Sequence, residues 1–163
     1  MKLYLLRHGE AAPLGDGGIT DDADRPLTET GLRQIRALAG QMQRRGIGLK
    51  AVLSSPLLRA KQTAETLVKT GPFPALEVRI CDDLAFNGKP RRIARLLREL
   101  KAESVALVGH APDLNQLAGW LIGSKKAQVD LAKGAVAHIL SSEDVRKGSG
   151  ALLWMLTPEW VTS

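Results

Sequence analysis

The chain has 163 residues, of which 44% are hydrophobic and 25% charged, with a formal net charge of +6 and a single cysteine. This length suits one domain spanning residues 1–163 with one sizeable core, and no apolar run approaches the ~20 residues of a membrane span. The solitary Cys81 excludes an internal disulfide framework and argues against a thiolate metal site.

MKLYLL passes straight into Arg7 without a signal-peptide core or a small-residue cleavage site, so the expectation is a soluble, cytoplasmic protein without membrane contact. The positive balance raises nucleic acid as a partner, but the basic residues are dispersed over several helices and aromatics are 4% of the chain, too few for base stacking. No nucleic acid is expected. A modest positive field favours an anionic substrate instead.

In chain order, "LYLL" reads as a buried strand that ends abruptly in Arg7-His8-Gly9. Residues 12–26, rich in Gly, Pro and Asp, read as a solvated loop; their aspartates lack the spacing of a calcium loop. Thr28 caps a helix whose apolar stripe is Leu32, Ile35, Leu38, Ala39 and Met42, with Gly46 as its stop. "KAVLSS" is a short strand, and Ser55-Pro56 reads as cap and first position of the next helix. "LEVRI" is a further strand. Residues 89–101 form a helix, with Ile93, Leu96, Leu97 and Leu100 on one face. "SVALVGH" is a buried strand, Pro112 opens another helix, and "AVAHIL" and "ALLWML" are late strands joined by a polar turn. This alternation argues an α/β fold with a largely parallel sheet covered by helices.

Three of these strands run into cations: the first into Arg7 and His8, the second into Arg59 in the opening turn of a helix, and the third into His110. Ligands of open parallel sheets bind beyond the carboxyl ends of the strands. Helical side chains lean toward the N-terminus, which would bring the Arg59 guanidinium back to its strand end. Free N–H groups near Ser55 and Ala111 would add anion donors. Two arginines, two histidines and helix N-termini suit a phosphate or similar oxyanion, and Gly9 would leave the approach beside His8 unobstructed. A zinc reading of His8 and His110 is disfavoured, because catalytic zinc takes three protein ligands and the arginines would repel it. His138 lies mid-strand and reads as structural.

"LLRHGEA", "SSPLLRAKQTAE" and "LVGHAPDL", in this order and spacing, resemble the histidine phosphatase superfamily, which includes the cofactor-dependent phosphoglycerate mutases and many phosphatases. "RPLTETG" and "LLWMLTP" resemble one branch, the small phosphohistidine phosphatases of the SixA type. The resemblance implies a three-layer α/β/α, phosphoglycerate mutase-like fold with a mostly parallel central sheet. It implies His8 as nucleophile, with Arg7, Arg59 and His110 holding the phosphate and Gly9 in the substrate-binding set. His110 would serve as a protonated donor, and no metal or cofactor is implied.

Members that cleave esters also carry a carboxylic acid for the leaving oxygen. Its position in "CDDLAFNGKP" falls on Phe86; Asp82 and Asp83 come earlier and read as turn residues, with Asp83 the alternative acid. The short span between Arg59 and His110 leaves little chain for a lid, so an open site is expected. The implied activity is removal of phosphate from phosphohistidine on a partner protein, such as a histidine phosphotransfer domain, through a phosphohistidine enzyme intermediate. The alternatives are a small-molecule phosphomonoesterase and a non-catalytic phosphoprotein-binding module.

Overall fold

A computed structural model of the chain describes residues 1–73, 76–124 and 126–160. Its strands are β1 (Lys2–Arg7), β2 (Ala51–Ser54), β3 (Val78–Ile80), β4 (Ser104–Gly109), β5 (Val136–Ser141) and β6 (Gly150–Leu156). Its helices are α1 (Glu29–Arg44), α2 (Leu58–Thr70), α3 (Pro90–Leu100) and α4 (Asp113–Leu121). The strands make one six-stranded sheet in the order β3-β2-β4-β1-β5-β6. β3, β2, β4 and β1 run parallel, and β5 and β6 add antiparallel to the edge at β1. The expected α/β/α architecture with a mostly parallel sheet is the one observed.

Alternation along the strands divides the core. Leu3 and Leu5, with Leu53 and Leu107, face Ile93, Leu97, Leu114 and Leu117 of α3 and α4. Tyr4 and Leu6, with Val52 and Val108, face Ile35, Leu38, Met42 and Leu67 of α1 and α2. Both faces of β1 and β4 are covered, which is why those strands read as unbroken apolar runs.

Register places the site. Arg7 pairs with Gly109 and Ser54 with Val108, so β1, β2 and β4 end nearly level. The ladder then extends one residue past each end: His8 N–H donates to the Gly109 carbonyl at 3.0 Å and Ser55 N–H to the Val108 carbonyl at 2.9 Å. His8, Ser55 and His110 therefore leave the sheet together.

The second helix begins later than its sequence suggests. Ser55 and Pro56 lie outside α2, which starts at Leu58 with Leu57 as its extended cap residue. Proline disfavours helical backbone at the residue before it, and Ser55 continues the β-ladder instead. Its Oγ accepts from Leu57 N–H at 3.3 Å, still serving the helix entry without being its cap. Thr28 is the cap expected for α1, accepting from Gly31 N–H at 3.0 Å.

The first turn of α1 grips the chain just after His8. A Cβ on Gly31 would lie 2.1 Å from the Glu10 carbonyl oxygen, and one on Gly9 would lie 2.9 Å from the Gly31 carbonyl oxygen. Glu10 is held from the same helix: its carbonyl accepts from Thr28 N–H at 3.0 Å and its N–H donates to Gln34 Oε1 at 3.0 Å.

Gly31→Ala should therefore overpack this contact and destabilise the protein by about 1–3 kcal/mol. Gly40→Ala, in the same helix but with Arg44 Nη1 at 3.6 Å as its nearest neighbour, should stabilise by up to about 1 kcal/mol through helix propensity. Urea unfolding midpoints of the two variants compared with the wild type check the opposite signs.

Candidate functional site

The site is built on the ends of β1, β2 and β4. His8, Arg59 and His110 are 6%, 3% and 1% exposed respectively, and the two imidazoles lie 5.1 Å apart between ring centres. Arg7 closes the group from the β1 side, its Nη1 donating to the Leu131 carbonyl at 2.7 Å. Both arginines act electrostatically on both histidines. The four residues expected from the three strand ends do converge.

His8 is fixed in one tautomer, assigned from its hydrogen bonds. Nδ1–H donates to the Gly9 carbonyl at 2.7 Å, and Nε2 accepts from Arg59 Nε–H at 3.3 Å. The available lone pair is on Nε2. Behind it, Gly9 N–H donates to Thr63 Oγ1 at 3.1 Å, and that hydroxyl donates to the Arg59 carbonyl at 2.7 Å. Gly9 thus spends both backbone groups holding His8 and α2, and the space that a side chain would need there lies against Gly31 of α1 and not in the approach to His8, which corrects the expectation of a glycine that keeps the approach open or binds substrate. Thr63 lies four residues after Arg59 on one helix face, a spacing visible in the sequence though its partner Gly9 is not.

His110 Nε2 and Ser55 Oγ are 2.8 Å apart. Ser55 Oγ accepts from Leu57 N–H; assigned as the donor to Nε2, it leaves the ring proton on Nδ1. That atom and Arg7 Nε are buried without a protein partner, a pair of donors suited to an oxyanion. At the start of α4, Pro112 has no N–H and Leu114 N–H is taken by the His110 carbonyl.

Burial, reinforced by Arg59 and Arg7, pushes His8 down to about 4 despite its bond to the Gly9 carbonyl. Burial first, then His8 and Arg59, push His110 down to about 3. Both rings are neutral at pH 7. This corrects the expectation of a protonated His110: in the free protein it donates as a neutral imidazole, because a cation there would be desolvated beside two guanidinium groups.

The loop before α1 is not merely solvated. Asp22 takes the outer edge of Arg59, its carbonyl accepting from Nη1 at 2.6 Å and its Oδ2 from Nη2 at 2.9 Å. Arg25 also pairs with the Asp22 carboxylate at 2.8 Å. These bonds, Arg25's foremost, hold the Asp22 carboxyl below its usual range. The Arg59 edge formed by Nε and Nη2 still faces His8. Nothing local in "TDDADRP" distinguishes Asp22 from its neighbouring aspartates.

Phe86 lies at the rim, 48% exposed. Its ring is 4.8 Å from that of His110, and the Arg59 guanidinium carbon is 5.7 Å from its centre. Asp83 sits in a short 3-10 turn, its carboxylate 3.6 Å from Arg92 of α3. Between Arg59 and His110 the chain forms the rest of α2, β3, that turn and α3. His138 stacks on Tyr4 at 4.5 Å in the opposite half of the sheet. Among the described residues there is no cluster of three or more His, Cys, Asp or Glu able to hold a metal, and no helix long and apolar enough to cross a membrane.

Comparison with known proteins matches residues 3–85 to the model of the histidine phosphatase superfamily (branch 1). An uncharacterized protein of Picosynechococcus sp. is 33% identical over 99% of both chains. The phosphohistidine phosphatase SixA of Escherichia coli is 27% identical over 97% of this chain and 94% of its own. Among solved structures, the protein histidine phosphatase SixA complexed with tungstate superposes with a TM-score of 0.85 at 26% identity, covering 97% of each chain.

The depressed histidines link stability to pH. Above pH ~6.5 folded and unfolded chains are both neutral at these rings; below it the unfolded chain binds protons that the folded one refuses until about pH 4 for His8 and pH 3 for His110. Stability should therefore fall as pH drops from about 6.5 to 4, each unit of pKa separation being worth about 1.4 kcal/mol. Urea midpoints measured across that range should show the slope, and His110→Gln should flatten it.

Proposed function

The chain belongs to the histidine phosphatase superfamily (branch 1), and from that premise we propose that it removes phosphate from phosphohistidine on a partner protein through a phosphoenzyme at His8. Residues 1–163 act as one catalytic domain. His8 is the nucleophile; Arg7, Arg59 and His110 bind the phosphoryl oxygens.

In the first step His8 Nε2 exchanges its contact with Arg59 Nε for the phosphorus atom. A bond from Nε2 to phosphorus forms as the bond from phosphorus to the substrate imidazole breaks, and the electron pair leaves with that imidazole. A phosphoimidazole protonated on its other nitrogen departs as a neutral ring. The phosphorylated His8 is equivalent, because its proton stays on Nδ1 and is donated to the Gly9 carbonyl. Water then attacks phosphorus, His8 leaves as a neutral ring, and the water protons remain with the product as dihydrogen phosphate. Neither transfer requires a separate acid. The Nε and Nη2 groups of Arg59, together with Arg7 and His110 Nδ1, stabilise charge on the equatorial oxygens, so the reaction is proposed to proceed without a metal.

The observation that carries the choice of leaving group is the exposed aromatic ring of Phe86 at the rim, at the position where the resemblance implies a carboxylic acid in ester-cleaving members. An alkoxide leaves poorly without a proton. Asp22 does not replace that acid, since Arg25 and Arg59 keep it ionised, and Asp83 is engaged with Arg92. The similarity to SixA across nearly the whole chain supports the same substrate class. A protein-borne phosphohistidine suits a site whose rim is formed by a short turn and not by a lid, and a histidine phosphotransfer domain is the partner we expect.

Quenching a reaction with a phosphohistidine protein in alkaline detergent should trap the wild type phosphorylated at His8, the label surviving base and being lost in acid. His8→Ala should lose at least about 10³-fold in turnover, the scale of removing a nucleophile. Turnover of phosphohistidine should exceed that of alkyl phosphates; rapid ester hydrolysis with none on phosphohistidine would make the protein a phosphomonoesterase. Phosphate binding without hydrolysis of either would leave only a binding module.

A further inference from the structure

Phe86 is an exposed aromatic ring at the mouth of a site in which His8, Arg59 and His110 are almost wholly buried. His110 is 1% and Arg59 3% exposed, against 48% for Phe86. Apolar rings are ordinarily withdrawn from water, and this one sits in contact distance of two groups that would hold the phosphate. The turn that carries it is held from behind. A Cβ on Gly88 would lie 1.9 Å from the Asp83 carbonyl oxygen, and a Cβ on Gly109 3.1 Å from the Leu84 carbonyl oxygen, so the turn packs closely both on itself and on the end of β4. The position of the ring is thus set by the backbone.

We propose that Phe86 is a specificity-determining residue whose ring forms a shelf for a planar, nitrogen-linked leaving group, favouring phosphorylated imidazole over phosphoramidates without a ring. The proposal rests on the phosphohistidine reading given above and deepens it. A phosphoryl group held by Arg7, Arg59 and His110 with its phosphorus at His8 Nε2 must present its leaving group in line, away from His8 and outward. Phe86, which flanks His110 on the solvent side, borders that exit. The ring also lines a surface pocket of about 270 Å³ with Lys89, Pro112, Asp113 and Gln116, room for the polypeptide that bears the imidazole.

Aromatic stacking is sequence-independent and prefers offset or tilted rings, so the shelf would select the chemical type of leaving group and not its flanking residues. A carboxylic acid at the same place would do different work, giving its proton to a departing alkoxide while offering no face to a ring.

A structural role for Phe86 makes a different prediction. If the ring served only to cover His110 and keep it dry, its loss would weaken phosphate binding for every substrate alike. Two substrates separate the roles. Phosphoramidate and 1-phosphoimidazole both carry the proton their leaving group needs, but only the second has a ring.

For Phe86→Leu, kcat/KM toward 1-phosphoimidazole should fall about three- to tenfold, the range of an aromatic contact, while that toward phosphoramidate stays within about twofold. Phe86→Trp, which restores a ring face, should keep the wild-type preference. Equal losses on both substrates in Phe86→Leu, or a wild-type preference unchanged by it, would overturn the shelf while leaving the phosphohistidine reading intact. A wild type that hydrolyses alkyl phosphates but neither P–N substrate would overturn both.

Discussion

His8 Nδ1 donates to the carbonyl of the next residue, Gly9, at 2.7 Å, and the rest of the site is arranged around that bond. It puts the ring proton on the nitrogen facing the protein and the lone pair on Nε2. The bond needs the Gly9 peptide in one orientation. Thr63 of α2 fixes it through the Gly9 N–H, and the first turn of α1 closes on it through Gly31, where no side chain fits. Two helices on one face of the sheet thus determine the tautomer of a residue at the end of its central strand. The same Thr63 hydroxyl reaches the carbonyl of Arg59, so His8 and Arg59 share one support.

The second constraint is electrostatic. Two imidazoles and two guanidinium groups are packed with little access to water. The arginines stay charged, so the imidazoles give up their protons. A neutral His8 can attack phosphorus, while His110, with Nε2 serving Ser55, can still donate through Nδ1. Asp22 supplies part of the missing negative charge. It binds the Arg59 edge farther from His8, compensating a buried cation while leaving the Nε and Nη2 edge toward the nucleophile. Removing one partner of such a pair leaves the other uncompensated, so the loop before α1 belongs to the site's electrostatics.

The chemistry proposed for the site follows from where protons already reside. Transfer of a phosphoryl group from one imidazolium to another leaves the same charges and the same protonated ring types on both sides. A scaffold that aligns two rings in line and neutralises the equatorial oxygens meets the main demands. In that proposal the exposed ring of Phe86 at the rim stands beside the departing imidazole and not as its acid.

The sequence by itself determined the order of strands and helices, the parallel core and the four basic residues of the site. Those properties are written in local periodicity: apolar runs covered on both faces in β1 and β4, a helical stripe from Ile35 to Met42, and cations at strand ends. It misjudged Ser55, read as a helix cap, because the hydrogen bond that keeps it in the ladder is donated by its N–H to the carbonyl of Val108, distant in the chain. It left Asp22 among similar aspartates, since its partner Arg59 is brought to it only when the loop folds over α2. It also anticipated a charged His110, because a histidine's protonation depends on its solvent and neighbouring charges. Pairing across the sheet, burial and the placement of loops are long-range properties, and only the tertiary structure decided them. They bring four recognisable basic residues together as two neutral imidazoles beside two guanidinium groups.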